Sequence, residues 1–171
     1  MNKAQVRAAM RAMADGEKLW QQLQADVYGP AMQGALLMEG AREFLLHCRQ
    51  VGVEVFIVSH KTQYAGTAPT GLRVAAQMWM ISQGFFRSDE GGLAILPERV
   101  FFESTRLEKL ARIASLAVDC FIDDLPEVLG DQNFPVGVQR IWFNPGGLQE
   151  EGMAGVKQYD SWYAIQHDMF S

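Results

Sequence analysis

No run of this chain is long and apolar enough to cross a bilayer, which takes about 20 consecutive residues, so no membrane partner is expected. Positive charge is not in excess either: 15 Lys and Arg face 20 Asp and Glu, for a net charge of −5. A nucleic-acid binder usually carries a basic face, and that class is set aside. Cysteine is scarce. Cys48 and Cys120 lie in apolar runs at a spacing that fits no zinc motif, and read as buried reduced thiols. The opening MNKAQVRAAMRAMADG lacks the apolar core and cleavage site of a signal peptide, so the chain reads as cytoplasmic. Repeats and low-complexity linkers are missing, and 171 residues suffice for one domain with its own core.

What is present is an alternation of helical and strand patterns. Val6, Met10, Met13, Leu19 and Leu23 recur at roughly helical spacing, predicting a helix over 2–25 with a break at Asp15-Gly16. Gly and Pro make 27–35 a loop. A short helix is predicted over 40–50, stopped by Gly52, and a strand over 53–59, VEVFIVS. A polar loop leads to an amphipathic helix over 71–83, closed by Gly84. RVFFE (99–103) is a second strand. The following helix, 104–116, has the clearest start: Thr105 and Glu108 are spaced as a capping box. Strands are predicted over 118–123 and 138–144, and a closing helix over 159–170. Such alternation predicts an α/β domain with a mainly parallel sheet, in which ligands bind beyond the C-terminal ends of the strands.

Three features are expected at that edge. Ser59 follows the first strand, Lys109 lies early in the helix after the second, and Asp123-Asp124 ends the third. Two adjacent carboxylates repel unless a positive group neutralises them. A hydroxyl and an ammonium suit phosphate oxygens, and carboxylates suit a hard divalent cation. A response-regulator receiver uses the same residue types, but there the acidic pair comes first and the lysine last.

In order, VFIVSHKT, FFESTRLEKLARI and FIDDLPEVL resemble motifs two, three and four of the haloacid dehalogenase-like hydrolase superfamily. LQADVYGP, VSHKT and FIDDLPEVL are similar more narrowly to small bacterial members, over about residues 18–145. The resemblance implies a Rossmann-like parallel sheet flanked by helices, with residues 2–35 contributing a small helical cap. It implies Mg²⁺-dependent hydrolysis of phosphate esters, with a small phosphorylated molecule as substrate. Ser59 would bind phosphate, Lys109 would stabilise it, and Asp123 and Asp124 would help hold Mg²⁺. The loops 26–34 and 61–71 would contact the substrate.

The family's first motif, a strand ending in Asp-x-Asp whose first aspartate attacks phosphorus, has no counterpart here. No Asp-x-Asp occurs, and neither Asp15 nor Asp26 follows an apolar β-run. The covalent route then lacks its nucleophile, hydrolysis by the chain as given is not expected, and Mg²⁺ binding should be weak or lost. In this family the missing strand lies mid-sheet, between those at 53–58 and 118–122, so its absence exposes two strand edges. Two explanations stand: an N-terminally truncated sequence, or a degenerate member that binds a phosphate ligand or regulates without turnover.

Overall fold

The computed structural model describes residues 3–28, 30–61, 71–147 and 153–171. Chain reversal at Asp15-Gly16 divides the first predicted helix into α1 (Lys3–Arg11) and α2 (Gly16–Tyr28). Asp15 is left-handed at φ 57°, and a Cβ on Gly16 would lie 2.1 Å from the Met10 carbonyl oxygen, so only glycine fits the return. A 3₁₀ turn, Pro30–Gly34, follows. Helix α3 (Ala41–Val51) ends at Gly52, whose left-handed backbone lets its N–H reach the Arg49 and Cys48 carbonyls.

The remaining order is β1 (Ile57–His60), α4 (Leu72–Ser82), β2 (Val100–Glu103), α5 (Arg106–Leu116), β3 (Cys120–Asp123), α6 (Pro126–Leu129), β4 (Gln139–Phe143), β5 (Val156–Tyr159) and α7 (Trp162–Phe170). The capping box of α5 forms as its spacing predicts: Glu108 N–H donates to Thr105 Oγ1 at 3.1 Å, and Thr105 N–H donates to Glu108 Oε2 at 2.9 Å. β1 begins four residues later than its apolar run. A strand needs a partner, and Ile57 pairs with Val100, before which the chain is a 3₁₀ turn, Pro97–Arg99, unable to extend the ladder. β5 is not among the predicted strands. Its VKQY has only one apolar aliphatic residue, because it is an outer strand with Lys157 and Gln158 in solvent.

Every ladder is parallel, but the strands form two sheets: β1-β2, and β3-β4-β5. Helices cover both faces. On one side Leu110 and Ile113 of α5 and Val128 and Leu129 of α6 enclose Val58 and Trp142. On the other, Phe44 and Cys48 of α3 and Ile165 of α7 enclose Ile141 and Phe143. Burying each such large side chain contributes about 1.5–3 kcal/mol. A third cluster joins Met80 of α4 to Phe85, Leu93 and Ile95. The loop carrying the last three is held to α3 by Arg42 and Arg49, which donate to the carbonyls of Gln83, Ser88, Asp89, Gly91 and Gly92. The segment expected as a cap lies against α4: α2 and the 30–34 turn contact that helix, and Trp79 Nε1 donates to Ala35 O at 2.7 Å.

Candidate functional site

β2 ends at Glu103, and α5 starts at once under its Thr105 cap, which places Lys109 in the first turns of α5. Lys109 is buried, as is Asp123, the last residue of β3. Lys109 Nζ donates to Asp123 Oδ2 in a direct ion pair, and Asp123 Oδ1 accepts the Leu125 N–H at 3.0 Å. Lys109 Nζ also lies 5.4 Å from the centre of the Phe121 ring. Burial pushes the Asp123 carboxyl above the usual aspartate range, and Asp124 adds to the rise; Lys109 and the Leu125 N–H pull against it.

This contact links the two sheets. Lys109 lies near the C-terminal end of β2, and Asp123 is the C-terminal end of β3. The C-terminal ends of β2 and β3 are therefore brought close together. It also shows how the adjacent aspartates are tolerated. Asp123 turns inward to an ammonium, while Asp124 stays in solvent.

The four expected site residues are thus placed unequally. Lys109 and Asp123 are brought together. Asp124 is next to them in sequence but outside the pair. Ser59 is half-buried near the end of β1, paired with Phe102 in register. Its neighbour Val58 faces the α5 side, so alternation puts Ser59 on the α4 side with Ile57, across the layer from the pair. Three basic residues surround the end of β1. His60 Nε2 contacts Ser104 O at 2.9 Å. Arg73 Nε donates to Lys61 O at 3.0 Å, and Arg73 also donates to Ser104 Oγ at 2.7 Å. Sequence reading passed over His60 and Arg73, although His60-Lys61 directly follows Ser59. Of the expected substrate loop, 62–70 is outside the described residues.

The two carboxylates are unequally free to hold a cation. Both Asp123 oxygens are engaged, which leaves Asp124 as the single uncommitted carboxylate of the pair. Among the described residues no group of three or more His, Cys, Asp or Glu gathers to hold a metal. Mg²⁺ keeps several of its waters and is usually held by one or two carboxylates together with substrate phosphates, and Asp124 is the carboxylate of this pair left for such a role.

No family model, no curated protein and no solved structure matches this chain.

Proposed function

We propose that this chain is a haloacid dehalogenase-like α/β domain that binds a small phosphorylated molecule over the C-terminal edge of its strands and does not hydrolyse it unaided. The observation that carries this reading is the Lys109–Asp123 pair, which puts a fixed ammonium and a carboxylate at that edge. The motif order in the sequence supports the family. The basic cluster at the end of β1 supplies further donors to phosphate oxygens, the guanidinium of Arg73 and the imidazole of His60, and the backbone there carries Ser59. Positioned donors bind and neutralise a phosphoryl group, but without an attacking group they do not break the ester.

Two measurements test this reading. Titration with phenyl phosphate, followed by amide chemical shifts, should move Ser59, His60 and Ser104 in a saturable way, and Arg73→Ala should weaken binding. Hydrolysis of an aryl phosphate with Mg²⁺ should stay at the blank rate. Shifts confined to other surfaces would refute the binding site. Turnover abolished by Asp124→Asn would show that this chain has a nucleophile or an activated water of its own.

A further inference from the structure

Helix α5 holds the segment that follows β3 at two places. Lys109 holds its start, through Asp123. Arg106 lies three residues before Lys109, and so on a neighbouring turn of the same side of the helix. It holds the far end: Arg106 Nε donates to Asp131 Oδ2 at 3.0 Å, and Arg106 Nη1 donates to the Glu127 carbonyl at 3.4 Å. Asp124 stands in the chain between these two holds.

The segment between them depends on such ties. Helix α6 is a single turn, Pro126–Leu129, and a helix this short does not support itself in water. Asp123 Oδ1 fixes its entry by accepting the Leu125 N–H at 3.0 Å. Val128 and Leu129 anchor it in the core, but apolar burial is non-directional and does not set where the exposed turn at Asp124 points. Polar bonds of fixed geometry do. Asp131 is a firm post for one. Its side chain is 13% exposed, and Asp131 Oδ1 accepts the Asn133 N–H at 3.0 Å and the Asn133 side-chain amide at 3.1 Å. Arg140 Nη1 donates to the Leu129 carbonyl at 3.1 Å and ties α6 to β4. Arg106 ties it instead to α5, the helix that carries Lys109.

Building on the phosphate-binding reading above, we propose that Arg106 is a positioning residue. By fastening Asp131 and α6 to α5, it fixes the Asp124 carboxylate relative to Lys109, so that Asp124 ligates a divalent cation shared with the bound phosphate. Arg106 acts through Asp124 and touches neither the cation nor the phosphate. Its guanidinium is committed to Asp131 and Glu127. Removing groups that orient a metal ligand typically weakens metal binding by about 10–100-fold.

The test uses Mn²⁺ as a paramagnetic probe, added to the full isotope-labelled chain with and without phenyl phosphate. In the wild type the amides of Asp124 and Leu125 should broaden in a saturable way. Arg106→Ala should weaken that binding by roughly tenfold, while phenyl phosphate still shifts Ser59, His60 and Ser104. Asp131→Asn should reproduce the loss, and Arg106→Lys, which keeps a charge beside Asp131, should recover part of it. Unchanged Mn²⁺ affinity in Arg106→Ala would overturn the proposal. So would a loss shared equally by the phosphate shifts, or no recovery with lysine, since either marks Arg106 as a general structural support. A wild-type chain whose Asp124 amide ignores Mn²⁺ would overturn it as well. Missing phenyl phosphate shifts in the wild type would refute the phosphate reading instead, and the titration with Mn²⁺ alone would still decide the role of Arg106.

Discussion

Replacing Lys109 with methionine isolates what the buried pair does. Its side chain is 6% exposed and that of Asp123 is 4% exposed, so water cannot replace the lost partner. Removing one member of a buried pair typically costs about 3–5 kcal/mol, because the other charge stays behind uncompensated. For a chain of this length that corresponds to a melting point lower by roughly 6–20 °C, at about 2–4 °C per kcal/mol. The Lys109→Met, Asp123→Asn double variant removes both charges and keeps an oxygen for the Leu125 N–H. It should return to within about 2 kcal/mol of wild type. The pH dependence supplies a second signature. Without Lys109, burial and Asp124 raise the Asp123 carboxyl further above its unfolded value. A carboxyl with a raised folded pKa binds more protons folded than unfolded, so its stability contribution is full below the unfolded pKa and is lost as pH rises through the folded one. The Lys109→Met deficit should therefore be largest at neutral pH and shrink on acidification. Urea unfolding followed by the fluorescence of the four tryptophans, Trp142 among them buried in the core, measures all three proteins. A single-variant cost under about 1 kcal/mol, or strictly additive single and double variants, would refute a buried, coupled pair.

Thr105→Ala should destabilise by about 1 kcal/mol through loss of the α5 cap, read as a shifted urea midpoint at unchanged slope. Arg49→Ala should speed amide exchange at Leu93 and Ile95, because it frees three carbonyls of the loop that carries them; unchanged exchange would mean the arginine clamp is dispensable. Burial pushes the Cys48 thiol up to about 11 and also raises that of Cys120. At pH 8 both should resist a thiol reagent in the native state and react on unfolding, so rapid native labelling of Cys48 would contradict its burial.

Features set by neighbours in sequence were legible without the fold. The Thr105–Glu108 box, the break at Asp15-Gly16 and the stop at Gly52 each depend on a few adjacent residues, and they stand where the pattern put them. The parallel α/β class was legible too, because alternating apolar periods leave few ways to bury both kinds of element. Strand ends were not. β1 starts at Ile57 because its partner β2 starts at Val100, and β5 exists because β4 offers an edge to a segment with little strand character of its own. The sequence brought Lys109, Ser59 and the acidic pair to one edge only as an expectation. Tertiary packing decided that Lys109 is buried against Asp123, that Asp124 faces solvent, and that Ser59 lies across the layer. A side chain's partner depends on which helix roofs which strand, and on the alternation of faces once the register is set. Neither is written in the spacing of residues along one chain.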